Sequence, residues 1–155
     1  MSPLIAVDHV QLAMPAGGED AARAFYAGVL GLTEQTKPPL LAARGGCWFE
    51  DGPVKLHLGV EDDFRPARKA HPALLVRQLR AFVDSHDLDV RWSDEIPGTV
   101  RCHVDDPFGN RLELIDAAHA RTDTAASLGD ARTDTAASLG DARTDTAGPH
   151  EAGPP

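Results

Sequence analysis

The chain is short of cysteine, of aromatic residues and of positive charge. Its two cysteines, Cys47 and Cys102, are too few for a disulfide framework and lack the C-x-x-C spacing of zinc or redox work, so they read as ordinary reduced thiols. No apolar run approaches the roughly 20 residues needed to span a bilayer. The start, MSPLIAVDHV, has neither the basic segment nor the long apolar stretch of a secretory signal, and a cytoplasmic location is expected. Fifteen Lys and Arg against 24 Asp and Glu give a net charge of -9. Nucleic acid and anionic membranes would be repelled by it, so neither is expected as a partner and a small molecule fits better. What remains is 155 residues, 42% hydrophobic and 25% charged, enough for one soluble domain of ordinary size.

Composition changes after Asp116. The segment ARTDTAASLGD fills 120–130, recurs at 131–141 and begins again at Ala142. An eleven-residue period can wind a right-handed coiled coil, but each repeat offers a single Leu, too little to bury. Residues 117–155 are therefore expected to be a disordered or at most transiently helical tail. Without it the body, 1–116, keeps 12 basic and 18 acidic residues, so the charge argument is unchanged.

The body reads as two copies of one unit. In the first, about 4–62, the alternating stretch IAVDHVQLAM predicts a strand; Ala22, Phe25, Tyr26, Val29 and Leu30 recur at helical spacing until Gly31; LLAARG, GCWFED and VKLHLGV follow as short strand-like pieces. In the second, about 69–116, HPALLV is followed by a helix bearing Leu79, Phe82, Val83 and His86, then by DVRWSD, TVRCHVDD and NRLELID. Each unit is βαβββ, and the two are read as internal repeats in one α+β domain.

Side chains of the same parity share a face of a strand. Val10, Leu12 and Met14 oppose His9 and Gln11; Leu56, Leu58 and Val60 oppose His57; Leu112 and Leu114 oppose Arg111 and Glu113; Val100, Cys102 and Val104 oppose Arg101 and His103. Each strand thus has an apolar face for covering helices and a second face of imidazoles, a carboxylate and cations. Gln11, Arg101 and Arg111 on those second faces are candidates for orienting a substrate.

DHVQLA, ARAFYAGVLGL, HPALLV and the hairpin DDPFGNRLELI together make residues 4–116 resemble the vicinal oxygen chelate superfamily, which includes glyoxalase I, extradiol dioxygenases, fosfomycin-resistance transferases and bleomycin-binding proteins. The resemblance implies paired βαβββ modules curving into a mixed-sheet cup. It implies a divalent metal (Fe, Mn, Ni, Co or Zn) on His9, His71 and Glu113, with His57 as a fourth ligand or base and His103 as an acid or base. His57 stands where glyoxalase I has a carboxylate, and His103 where dioxygenases usually have Tyr. The implied function is a glyoxalase-like enzyme that chelates a small oxygenated metabolite through two oxygens, in a homodimer. The alternative is a metal-free sequestering pocket of the bleomycin-resistance kind.

Overall fold

The computed structural model describes residues 2–120. Two four-stranded mixed sheets contain the expected paired modules. In chain order the first runs β1 (Val10–Met14), α1 (Glu19–Ala22) continuing into a π-helical turn (Arg23–Ala27), β2 (Thr33–Gln35), α2 (Pro39–Ala42), β3 (Cys47–Asp51) and β4 (Val54–Val60). The second runs β5 (Ala73–Val76), α3 (Leu79–Ser85), β6 (Arg91–Ser93), β7 (Arg101–Asp105) and β8 (Arg111–Asp116), closed by a 3-10 turn at Ala117–His119. The sheet orders are β1-β4-β3-β2 and β5-β8-β7-β6, with the first and last strands of each module parallel and the rest antiparallel. The repeated segments beyond 120 lie outside the described residues.

Two local expectations are revised. LLAARG is not a strand: residues 39–42 form the helical turn α2, which Pro39 opens with its fixed φ and Leu and Ala then favour. The strand between helix and hairpin is instead Thr33–Gln35. The first strand also begins later than its alternation suggests, because pairing with β4 starts only at Val10 opposite Leu56. Leu4, Ile5 and Val7 are left 83%, 99% and 77% exposed.

The apolar faces meet in one core that includes Met14, Tyr26, Phe49, Leu56 and Leu58 from the first module and Leu79, Cys102, Leu112 and Leu114 from the second. Tyr26 stacks on Phe49 with ring centroids 5.3 Å apart. Burial pushes the thiols of Cys47 and Cys102 up to about 11, so both remain protonated at neutral pH.

A buried polar knot joins the modules. The Tyr26 hydroxyl donates to Asp106 at 2.8 Å; Asn110 Nδ2 donates to Asp106 at 2.9 Å and to the Ala13 carbonyl at 2.8 Å; Asn110 Oδ1 accepts from the Ala67 amide at 2.9 Å. Asp106 also accepts from the amides of Phe108 and Asn110, which shapes the hairpin turn. Gly109 completes that turn at φ +86°, a conformation open to glycine and costly for most L residues. The hairpin thereby fixes where β8, and Glu113 on it, enters the sheet.

Candidate metal centre

Strand register places two triads at equivalent positions. His57 on β4 lies between Gln11 of β1 and Trp48 of β3, while Glu113 on β8 lies between Ala73 of β5 and His103 of β7. His9 stands two residues before Gln11, and His71 two before Ala73. The equivalent sets are thus His9, His57 and Trp48 in module one, and His71, Glu113 and His103 in module two.

The module-two set gathers ligand atoms. His71, His103 and Glu113 each offer one donor within 4.8 Å of the others, and this is the one such group of three among the described residues. Donors bound 2.0–2.2 Å from a common ion stand roughly 3–4.4 Å apart, so a group this close needs only small side-chain adjustment to hold a small divalent cation. The Glu113 amide donates to the Pro72 carbonyl at 3.0 Å, which draws the chain ahead of β5 against β8 and brings His71 over the carboxylate. His71 Nδ1 lies 2.7 Å from the Lys69 carbonyl, an acceptor only, so Nδ1 carries the proton and donates. In the neutral ring Nε2 is then a lone pair, and it faces Glu113 Oε2 at 3.3 Å. Two acceptors at that distance need a cation between them, either a second imidazole proton or a metal ion. Orienting a ligand histidine through its other nitrogen is a common feature of metal sites.

The electrostatics favour ligand forms. Burial would raise the Glu113 carboxyl, but the hydrogen bond and charge of Arg101, aided by His71, outweigh it and hold the group below the ordinary carboxylate range. Burial lowers the pKa of His103, which keeps that imidazole neutral against the opposing pull of Glu113. His71 and His103 meet edge to face at 5.3 Å.

Module one is built differently. His57 is sandwiched between His9 (4.3 Å between centroids) and Trp48 (4.4 Å). It is 7% exposed, its Nε2 is buried without a hydrogen-bond partner, and burial together with the nearby His9 lowers its pKa. His9 is held by Asp8, whose Oδ1 is 2.8 Å from Nδ1 and whose Oδ2 accepts from Lys55 at 3.3 Å. Of the candidate residues, His71, Glu113 and His103 therefore cluster in one sheet, and His9 and His57 stack in the other. The sequence places Arg101 on the polar face but not its grip on Glu113; the shared parity of Arg101, His103 and Glu113 is the signal that could have found it. His86 caps the exposed end of α3, its ring within 3.0 Å of the Phe82 carbonyl. A cavity of about 420 Å³ lined by Glu19, Arg23, Glu34 and Lys37 shares no residue with either triad, and those four side chains are all engaged within the protein.

No family model matches the sequence, and no curated protein does. Among solved structures the chain is similar to a glyoxalase family protein from Bacillus anthracis, with 41% identity over 75% of this chain and 98% of that one, at a TM-score of 0.71. It also resembles a lactoylglutathione lyase from Agrobacterium tumefaciens (21% identity, 75% and 96% covered, TM-score 0.55). A fosfomycin resistance protein from Listeria monocytogenes matches at 11% identity, with 73% and 93% covered and a TM-score of 0.56. The last two likenesses are of fold alone.

Proposed function

The chain belongs to the glyoxalase family of the vicinal oxygen chelate superfamily, and from that premise we propose that it is a divalent-metal-dependent enzyme acting on a small oxygenated metabolite. The observation that carries this reading is the geometry of His71: Nδ1 is committed to the Lys69 carbonyl, and Nε2 stands 3.3 Å from Glu113 Oε2, a gap that a cation would bridge. His71, Glu113 and His103 would hold the metal: two imidazoles and one carboxylate suit Fe, Mn, Ni, Co or Zn and would leave room for two substrate oxygens. When bound, the metal supplies Lewis acidity that stabilises negative charge developing on the chelated oxygens. His57, kept neutral by burial, is the proposed proton acceptor, and His9 stacked on it is a further ligand or orienting group.

A homodimer is part of this reading. β1 and β5 are sheet edges, and the exposed Leu4, Ile5 and Val7 lead into β1 with no partner among the described residues. An open edge continued by apolar side chains favours pairing with a second copy.

Metal analysis of protein purified without an affinity tag tests the proposal. About one divalent ion per chain is expected, lost in a folded His71→Ala variant. A folded protein that takes up no metal would instead support the metal-free sequestering pocket. That second reading draws on one observation: Arg101 already places a cation on Glu113 at 2.7 Å.

A further inference from the structure

Glu113 is held from two sides. Its Oε1 accepts from Arg101 Nη1 at 2.7 Å, while its Oε2 faces His71. Arg101 is itself buried and anchored: Nη2 donates to Ser93 Oγ and to Glu95 Oε2, each at 2.9 Å. Because the guanidinium is a rigid planar fork, fixing Nη2 on β6 and the loop after it also fixes the direction of Nη1. One oxygen of Glu113 is thus committed to Arg101, and the other faces His71.

We infer that Arg101 is a positioning residue that confines Glu113 to one-oxygen ligation and thereby sets which ion the centre prefers. The inference rests on the metal reading proposed above. Small ions in compact N/O sites need one carboxylate oxygen, whereas larger, harder ions gain from a carboxylate that grips with both. With Oε1 occupied, the two-oxygen grip is closed off. The nearby positive charge also weakens binding of every divalent ion, but it does so without regard to identity. Selectivity is the property that separates the two effects.

The test is competitive titration of the full-length protein with Zn(II) and Mn(II), comparing wild type with Arg101→Gln. The variant is expected to bind both ions more tightly, with the Mn(II) gain exceeding the Zn(II) gain by about tenfold, the order of one additional charged-oxygen contact. Equal gains or equal losses would overturn the inference. A second measurement does not depend on the variant folding: in crystals of the Zn-loaded wild type, Glu113 should ligate through one oxygen with Arg101 on the other. A two-oxygen Glu113 with Arg101 displaced also overturns it. Failure of the wild type to bind either ion, or binding that survives His71→Ala, sinks the underlying metal reading instead and is told apart by occurring before any Arg101 variant is compared.

Discussion

Two differences at equivalent positions separate the two triads, His57 for Glu113 and Trp48 for His103. Where module two has His103 beside Glu113, module one has Trp48 beside His57, so one set collects donors and the other collects ring faces. The buried imidazoles have a consequence for stability in the metal-free protein. His57 and His103 both titrate lower when folded, chiefly because burial disfavours the charged ring. The unfolded chain therefore takes up protons below about pH 6.5 that the folded chain refuses, and stability is lost as pH falls through that point. Glu113 adds a lower stage, since its depressed carboxyl contributes stability that is present above the ordinary carboxylate range and lost as pH falls below it. Urea unfolding of chelator-treated protein from pH 8 to 4 is expected to show both declines. His57→Phe, which keeps a ring between His9 and Trp48, should make the upper one shallower and leave the share of His103. Parallel curves for variant and wild type would refute the assignment to His57.

At the scale of elements, the knot around Asp106 explains how a short hairpin governs the centre. Tyr26 sits on the π-helical turn of module one, and burial by the core keeps its hydroxyl protonated as a donor to Asp106. Tyr26→Phe removes one hydrogen bond to a carboxylate and should cost about 1.5–3 kcal/mol. Asn110→Ala strips partners from Asp106, from the Ala13 carbonyl and from the Ala67 amide at once, and should cost more, about 3–5 kcal/mol. Both are read by denaturant unfolding, and an Asn110→Ala cost no larger than that of Tyr26→Phe would show that the knot does not join the modules. Much of this layout was legible beforehand. Period-two alternation located β1, β4, β7 and β8, and turn chemistry located the hairpin. Pairing limits were not legible: IAVDHVQLAM alternates throughout, yet only Val10–Met14 finds a neighbour strand. Nor was α2, because a four-residue helix and a short strand of Leu and Ala look alike in sequence. At the centre, residue types and faces could be read, but the reach of His103 and the grip of Arg101 depend on side-chain directions that parity does not supply.

For the whole molecule the arrangement of triads and edges decides what association can do. All three ligands proposed for the metal lie in module two of one chain, whereas the open edge of β1 and the exposed Leu4, Ile5 and Val7 belong to module one. Association and metal binding should therefore be separable. Sedimentation of the intact protein is expected to give about twice the 16.5 kDa chain mass, with the apolar segment ahead of β1 buried between copies. Ile5→Asp puts a charge into that contact, where desolvation without a partner is costly, and should shift the protein to monomer. The segment makes no core contact, so the monomer should keep its fold and still take up about one metal ion per chain. Loss of metal together with loss of the dimer would mean that the centre draws ligands from both copies, and His9 would be the first residue to examine. Retention of metal in the monomer would place the centre within module two, with the stacked His9 and His57 serving the substrate and not the ion.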